Sequence, residues 1–167
     1  MNITIHRGTD QIGGCITEIS TETSRVFIDF GQNLPGNGES TTPEEDEALV
    51  THILAQNKKQ HEAVFYTHGH EDHVGLFEYI PEYVPQYMSE GTKGLLKIKY
   101  DVLYEGANLK VNQLLDIGCD SQEYSDAINN LLYADNKCKL LNKIQVWKRT
   151  SPRKIPESIC IGDIMIT

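Results

Sequence analysis

Apolar and polar positions alternate in part along the first two of three short stretches near the amino terminus, and the three stretches predict strands at residues 2–7, 15–20 and 25–29. The polar residues 21–24 between the second and third stretches fit a hairpin turn. Near the other end of the chain, two apolar triplets flank a Gly-Asp pair at residues 162–163. Because a type II′ turn has glycine at its first central position, this order predicts a tight hairpin in which the aspartate is a turn residue rather than a ligand.

A helix is predicted after a loop over residues 31–42 that contains proline and glycine. Thr42 fits the amino-terminal cap, Pro43 fits the first helical position, and Glu45 completes a capping box. One apolar face of this helix is formed by Leu49, Val50, Ile53 and Leu54. Two histidines, His52 and His61, are expected at the surface rather than among metal ligands.

The central part of the chain alternates between strand and helix. Residues 63–66 (Ala-Val-Phe-Tyr) form an apolar run that is typical of a buried strand. Residues 74–80 predict a short helix that Pro81 stops, and residues 86–88 predict a further short strand. This alternation indicates the α/β class.

Residues 89–147 differ from the rest, because leucine and tyrosine recur there at helical spacing. The spacing predicts two or three helices, with breaks near Gly106 and at Gly118. Two interpretations stay open: a lid subdomain beside an active site, or ordinary packing helices. The tyrosines of this segment are more typical of core or half-buried positions than of a platform on which nucleic-acid bases stack.

The length of 167 residues predicts one domain with a sizeable core. An apolar content of 39% and a charged content of 23% are typical of a soluble globular protein. The chain has no apolar run long enough to span a membrane, and its polar amino terminus does not resemble a signal peptide. Four scattered cysteines without a CxxC pair indicate reduced thiols and a cytoplasmic location.

The net charge of −9 bears on the choice of partners. Nucleic-acid-binding proteins usually carry a basic footprint, and the chain as a whole lacks one. Positive charge is concentrated in two groups, which are Lys93, Lys97 and Lys99, and Lys148, Arg149, Arg153 and Lys154. Both groups are more typical of a solvated face than of a phosphate-binding track.

Three histidines and two acidic residues fall within residues 68–73, directly after the apolar run at 63–66. Imidazole and carboxylate are ligands that suit zinc, iron and manganese. The candidate ligands are His68, His70, Asp72 and His73. The first two can share one side of an extended segment, and the last two can approach from a second direction after a turn at Gly69.

Two adjacent ions are the interpretation that this spacing favours, because one tetrahedral ion would rarely take all four ligands from so short a loop. The alternative is a polar loop with histidines present by chance. The concentration of three of the six histidines of the chain in this loop argues against that alternative.

The order His-x-His-x-Asp-His at residues 68–73 resembles the HxHxDH signature of the metallo-β-lactamase superfamily. The threonine before it and the Val-Gly pair after it resemble the ribonuclease J and β-CASP branch in particular. Flanking segments are also similar to that branch, at residues 12–15 (Ile-Gly-Gly-Cys), 26–31 (Val-Phe-Ile-Asp-Phe-Gly), 84–87 and 92–96. The resemblance covers residues 1–100.

The resemblance implies an α/β fold that corresponds to the amino-terminal half of a metallo-β-lactamase αββα sandwich, with a helical insertion after the metal loop. It implies two zinc sites, with manganese as the alternative metal, and hydrolysis of a phosphodiester or RNA by a metal-activated water. His68, His70, Asp72 and His73 would be the ligands, and Asp72 would also be catalytic. Asp29 would hold a ligating histidine through its other ring nitrogen.

Asp29 and the pair Gly13-Gly14 each have a second explanation that stays open. Asp29 could simply be an acid that closes a strand before a turn. The pair Gly13-Gly14 supplies flexible backbone where the family has its metals, and a plain turn explains the pair equally well.

The chain has no histidine after His73, whereas the family supplies further ligands from later segments. We therefore expect one truncated domain, with a first-half core at residues 1–88, a helical segment at 89–147 and a terminal hairpin at 148–167 that returns to the sheet. Metal occupancy should then be partial, and activity of the chain alone stays open. The alternative function is a non-catalytic or weakly metal-binding half-domain that associates with itself or with a complementary half-domain.

Overall fold

The computed structural model describes residues 1–34, 41–115, 121–147 and 158–167. In these ranges the strands are β1 (Asn2–Arg7), β2 (Ile16–Ser20), β3 (Ser24–Ile28), β4 (His61–Tyr66), β5 (Gln86–Ser89), β6 (Gln145–Trp147), β7 (Ile159–Ile161) and β8 (Ile164–Ile166). The α-helices are α1 (Pro43–Ala55), α2 (Glu71–Val74), α3 (Glu90–Leu115) and α4 (Gln122–Lys143). Several sequence features lie outside the described residues: the loop at 35–40, the predicted break at Gly118, and the basic group of Lys148, Arg149, Arg153 and Lys154.

Six strands form one mixed sheet in the order β1-β2-β3-β4-β5-β6. The first three strands pair antiparallel, and β3 to β6 pair parallel. Parallel neighbours need a crossover connection, which α1 supplies between β3 and β4, and α3 with α4 between β5 and β6. The predicted α/β class is confirmed, and so are the strands predicted at residues 2–7, 15–20, 25–29, 63–66 and 86–88, with small differences at their ends.

The start of α1 follows the cap residues that the sequence predicts. Oγ1 of Thr42 accepts a hydrogen bond from the backbone N–H of Glu45 at 3.2 Å, and the Glu45 carboxylate accepts one from the backbone N–H of Thr42 at 2.8 Å. The capping box is therefore confirmed, with Pro43 at the first helical position. Val50, Ile53 and Leu54 of the predicted apolar face are buried.

The buried side chain of Arg25 joins β3 to the last turn of α1. Its Nε forms an ion pair with Oε1 of Glu62 at 2.7 Å, and its Nη2 donates to the carbonyl oxygen of Leu54 at 2.6 Å. Its Nη1 donates to the carbonyl oxygen of Gln56. The last carbonyl groups of a helix have no partner within the helix, so the guanidinium satisfies them and complements the negative end of the helix dipole.

The opposite face of the sheet is covered in part by the terminal hairpin. Val26 follows Arg25 in β3 and points to the other side, because side chains alternate along a strand. The buried cluster on that side consists of Val26, Ala63, Phe65, Ile161 and Ile164. β7 and β8 form a separate two-stranded sheet. The hairpin thus packs on the face of the main sheet, where Ile161 and Ile164 are buried.

The turn of this hairpin is tied to the turn between β2 and β3. Gly162 has a φ of 56°, as the first central residue of a type II′ turn requires. Oδ1 of Asp163 accepts hydrogen bonds from Oγ1 of Thr21 at 2.8 Å and of Thr23 at 3.0 Å. Hydrogen bonds with Ser24, Thr21 and Thr23 lower the pKa of Asp163 to about 2. We call Thr21, Thr23, Ser24 and Asp163 the hairpin anchor.

Helix α3 continues through Gly106, so the break predicted there is wrong. A glycine inside a helix costs about 1 kcal/mol relative to alanine, but it keeps its N–H and does not by itself end the helix. Further along, Val111 and Leu114 of α3 pack with Ala127 of α4 in a buried cluster. Packing of this kind offsets the cost of the glycine.

The chain divides into two compact units. One consists of Met1–Thr92 and Ile144–Thr167 and contains both sheets; the other is the helical unit Lys93–Lys143. Within the described ranges, no helix has the length and apolar composition needed to cross a membrane. The loop that carries the candidate ligands belongs to the strand-rich unit.

Candidate metal centre

The ligand-rich loop leaves the sheet at the carboxyl end of β4, beside the carboxyl end of β3. These strands are parallel, and Ile28 lies opposite Phe65 in their register. Parallel strands end at the same edge of a sheet, which brings Asp29, just after β3, close to Thr67, just after β4. The backbone N–H of Asp29 donates to the carbonyl oxygen of Phe65 at 2.9 Å and fixes this junction.

A short helix begins inside the loop rather than after it. The helix predicted at residues 74–80 is wrong at both ends, because α2 covers Glu71–Val74 and a 3-10 turn follows at Phe77–Tyr79. Negative side chains are favourable in the first turn of a helix, and Glu71 and Asp72 occupy that turn. His70 has an extended backbone, with φ of −79° and ψ of 145°. The ligands before and after this point therefore come from two backbone directions.

Three backbone hydrogen bonds hold α2 against neighbouring segments of the chain. The acceptors are the carbonyl oxygens of Glu71, Asp72 and His73, and the donors are the N–H groups of Gln32, Cys15 and Phe30, at 2.8, 3.0 and 2.9 Å respectively. These contacts fix the position of the ligand-bearing turn through backbone atoms alone.

Two glycines permit this close approach. A Cβ atom at Gly31 would lie 1.7 Å from the carbonyl oxygen of Asp72. A Cβ atom at Gly13 would lie 2.9 Å from Cβ of Asp72, and Gly13 also has a φ of 87°. Gly13 and Gly14 both have positive φ, at 87° and 65°, and Gly13 also lies beside Asp72, so the conformational freedom of the pair and its position near the candidate ligands are compatible.

His68 and His70, which we call the first donor pair, bring two nitrogens close together. Nε2 of His68 and Nδ1 of His70 are 3.2 Å apart. Two nitrogens that bind the same tetrahedral zinc ion, each at about 2.1 Å from it, are separated by about 3.4 Å. The spacing of the first donor pair is therefore compatible with a shared ion.

Asp72 and His73, the second donor pair, have a similar spacing. Oδ2 of Asp72 and Nε2 of His73 are 3.5 Å apart, and their side chains are 18% and 23% exposed, which leaves both accessible from solvent. The ring centroids of His68 and His73 are 4.0 Å apart. The two donor pairs are consequently adjacent, as two neighbouring ions would require.

Asp29 contacts His73 on the side away from Asp72. Its Oδ2 accepts a hydrogen bond from Nδ1 of His73 at 2.8 Å, while Nε2 of the same ring faces Asp72. Asp29 is only 3% exposed and has a φ of 63°. Positive φ is uncommon outside glycine, and aspartate is among the residues that tolerate it best. A carboxylate in this place fixes the tautomer and orientation of the imidazole.

Thr67 also contacts the Asp29 carboxylate. Its backbone N–H donates to Oδ1 at 2.8 Å, and its Oγ1 donates to Oδ2 at 2.8 Å. The same Oγ1 lies 2.9 Å from Nδ1 of His68. Sequence reasoning assigned Thr67 no role, although its position directly before the histidine motif was a usable signal.

Arg7 is a further residue that sequence reasoning missed. Its Nε donates to the carbonyl oxygen of Gly14 at 3.0 Å, and its Nη2 donates to that of Gly31. Burial lowers the pKa of Arg7, but a guanidinium remains ionised in proteins. The Arg7 side chain joins the two glycine-containing segments that adjoin Asp72. No local pattern in β1 could have indicated these distant partners.

Cys15 lies near the same edge. Burial, together with the nearby charges of Asp29 and Asp72, raises the pKa of its thiol. The other histidines lie apart from the donor pairs. His52 and His61 are exposed, as predicted, and Nε2 of His6 lies 3.0 Å from Oε2 of Glu18, within hydrogen-bond distance.

Each donor pair offers two protein ligands, whereas a catalytic zinc typically takes three. Among the described residues, no three or more histidine, cysteine, aspartate or glutamate side chains form a group that could hold one metal ion. The donor types and spacings fit zinc or manganese, and the number of donors per pair is below that of a complete catalytic site.

No family model and no curated protein matches the chain. Among solved structures, it is similar to a protein of unknown function from Enterococcus faecalis V583, with 28% sequence identity and a TM-score of 0.49. The match covers 59% of this chain and 28% of that chain, so this chain corresponds to a minor part of the length of the similar protein.

Proposed function

We propose that this chain carries the metal-binding part of a hydrolase of the metallo-β-lactamase type, which uses two zinc or manganese ions to hydrolyse a phosphodiester or RNA. The observation that carries the proposal is the adjacency of the two donor pairs, because the ring centroids of His68 and His73 are 4.0 Å apart. Within the first and second pairs the donor atoms are 3.2 and 3.5 Å apart, respectively. The HxHxDH order of the same residues supports it.

The residues have distinct roles in this proposal. His68 and His70 hold one ion, and Asp72 and His73 hold the other. Asp29 orients His73 through the 2.8 Å hydrogen bond to Nδ1. Asp72 is the catalytic residue, because its half-buried carboxylate can accept a hydrogen bond from the attacking water.

Zinc or manganese at such a site supplies an activated water and positive charge that stabilises the anionic transition state. The protein contributes a fixed geometry: backbone hydrogen bonds hold α2, and His70 is exposed on the open side of the loop. A phosphoester is the substrate class we favour because of the resemblance to the ribonuclease J branch. Ions at the loop would locally offset the net charge of −9 that otherwise repels a polyanion.

Metal content tests the assignment directly. We expect the wild-type protein to bind zinc or manganese, with fewer than two tightly held equivalents after dialysis. Replacing both His68 and His70 with alanine should remove most of it. The matched control replaces the exposed His52 and His61 with alanine and should leave metal content unchanged. Equal metal in both double variants would contradict the assignment.

The second candidate is a non-catalytic or weakly metal-binding half-domain that associates with another chain. It is favoured by the two ligands per donor pair and by the edge strand β1, where Ile3 and Ile5 are 65% and 54% exposed. Exposed apolar side chains on a strand edge are typical of an interaction surface.

Turnover of a chromogenic phosphodiester separates the two candidates. The hydrolase predicts a metal-dependent rate that Asp72→Ala abolishes while the protein stays folded. The half-domain predicts no turnover, together with a mass that rises with concentration in light scattering. A monomer without turnover and without bound metal would contradict both.

A further inference from the structure

The hydroxyl of Thr67 lies between groups that belong to different donor pairs. Its Oγ1 is 2.8 Å from Oδ2 of Asp29 and 2.9 Å from Nδ1 of His68. The same Oδ2 atom is 2.8 Å from Nδ1 of His73. One carboxylate oxygen is thus connected to a histidine of each donor pair, directly in one case and through a hydroxyl in the other.

Counting protons determines the direction of these hydrogen bonds. An ionised carboxylate can only accept, so the single proton of the Thr67 hydroxyl is donated to Asp29. The hydroxyl oxygen must then accept from Nδ1–H of His68, which leaves Nε2 of that ring without a proton. His73 donates its Nδ1–H to Asp29 and likewise has a bare Nε2. In both rings the unprotonated nitrogen is the one that faces its donor partner.

We propose that Thr67 is a positioning residue that sets the tautomer of His68 and makes the two donor pairs share the Asp29 carboxylate. This rests on the proposed function as far as metal binding is concerned, but the tautomer of His68 is a property of the chain itself. Asp29 itself is buried, at 3% exposed, whereas Thr67 is exposed. Partners of this type usually affect metal affinity by about 10-fold to 100-fold.

The two donor pairs should differ in how strongly they weaken when the Thr67 hydroxyl is removed. Removal of the hydroxyl breaks the connection to His68 completely. His73 keeps its direct hydrogen bond to Asp29, and the backbone N–H of Thr67 still donates to Oδ1 at 2.8 Å. The first donor pair should therefore weaken more than the second.

The experiment compares Thr67→Val, which has the same shape without a hydroxyl, with Thr67→Ser, which keeps the hydroxyl. Nitrogen-15 NMR of chelator-treated protein, at a pH above the ordinary histidine pKa of about 6.5, reports which nitrogen of His68 carries the proton. We expect Nδ1–H in the wild type and in Thr67→Ser, and loss of that preference in Thr67→Val. Zinc affinity of the first donor pair should fall about 10-fold to 100-fold in Thr67→Val and be restored in Thr67→Ser.

Thr23→Val is the matched control, since it also removes a threonine hydroxyl that bonds an aspartate, at 3.0 Å from Asp163. It should leave the His68 tautomer and zinc affinity unchanged. A wild-type His68 that carries its proton on Nε2, or an unchanged tautomer in a folded Thr67→Val protein, would overturn the proposal. So would equal zinc affinity in Thr67→Val and the wild type. If the wild type binds no zinc, the proposed function fails, and the tautomer measurement still decides the connection between Thr67 and His68.

Discussion

Two threonine–aspartate clusters lie at opposite ends of β3. At its start, Asp163 of the hairpin anchor accepts hydrogen bonds from the hydroxyls of Thr21 and Thr23 at 2.8 and 3.0 Å. Just past its end, Asp29 accepts one from the hydroxyl of Thr67 at 2.8 Å. The hydrogen bonds themselves are alike, so they do not distinguish the roles of the two aspartates.

The surroundings distinguish them. Asp163 is exposed, and its contacts connect one turn to another. Asp29 is 3% exposed, has a φ of 63° and contacts an imidazole. A residue held in such a conformation costs on the order of 1–3 kcal/mol, which surrounding contacts must offset. Burial, strain and an imidazole partner together, rather than a hydroxyl–carboxylate contact, indicate a candidate site.

The largest loss of zinc binding and stability is expected when a methyl group is added just past the end of β3, at Gly31. In Gly31→Ala the new Cβ would lie 1.7 Å from the carbonyl oxygen of Asp72, so α2 must move. We expect loss of zinc binding and a fall of at least about 3 kcal/mol in the free energy of unfolding. Urea denaturation and metal analysis measure both.

The control at the hairpin anchor is Gly162→Ala, where φ is 56° and the nearest atom to the new Cβ would be Oγ of Ser24 at 2.2 Å. It should destabilise the protein by about 1–3 kcal/mol and leave the zinc bound per folded molecule unchanged. Wild-type zinc binding by Gly31→Ala would remove the distinction between the two ends.

Neutralising each aspartate gives the next largest difference. Asparagine tolerates positive φ, so Asp29→Asn changes the charge with little effect on the backbone. Zinc affinity should fall by about 10-fold to 100-fold, as measured by calorimetry, because His73 loses its ionised partner. Asp163→Asn should leave it unchanged. Similar affinities in the two variants would show that Asp29 is only a strand-closing residue.

Arg7→Met should have a smaller effect on zinc affinity, and its lost contacts are again confined to the carboxyl end of β3. The variant loses hydrogen bonds from the guanidinium to the carbonyl oxygens of Gly14 and Gly31. Hydrogen bonds from a charged group contribute about 1.5–3 kcal/mol, so we expect a loss of that order in the free energy of unfolding. Zinc affinity should fall less than in Asp29→Asn, because Arg7 contacts no candidate ligand in the structure. A larger fall would mean that Arg7 acts on the ligands themselves.

Features that depend on local sequence were predictable. Partial alternation and short apolar runs predicted the strands, and the capping box predicted the start of α1, because these signals involve residues only a few positions apart. The order of the candidate ligands is visible for the same reason: all four fall within residues 68–73.

Features that depend on distant contacts were not predictable. The hydroxyl of Thr21 and the carboxylate of Asp163 are 142 positions apart in sequence, and Arg7 is 24 positions from Gly31. Helix α3 continues through Gly106 because neighbouring packing outweighs a weak local preference. The early start of α2 at Glu71 depends on backbone partners at residues 15, 30 and 32, which no pattern within the loop reveals.

The smallest expected effect is the acid sensitivity of the hairpin anchor. Hydrogen bonds with Ser24, Thr21 and Thr23 lower the pKa of Asp163 from 3.8 to about 2 in the folded protein. A carboxyl group whose pKa is lower in the folded state stabilises the protein above its unfolded pKa, and this stabilisation is lost as the pH falls through the folded pKa. The difference in unfolding midpoint between the wild type and Asp163→Asn should therefore be constant at neutral pH. It should shrink as the pH falls from 3.8 towards 2. Since Asp163 is exposed, solvent screening keeps the difference small, and a difference that grew on acidification would contradict the assigned hydrogen bonds.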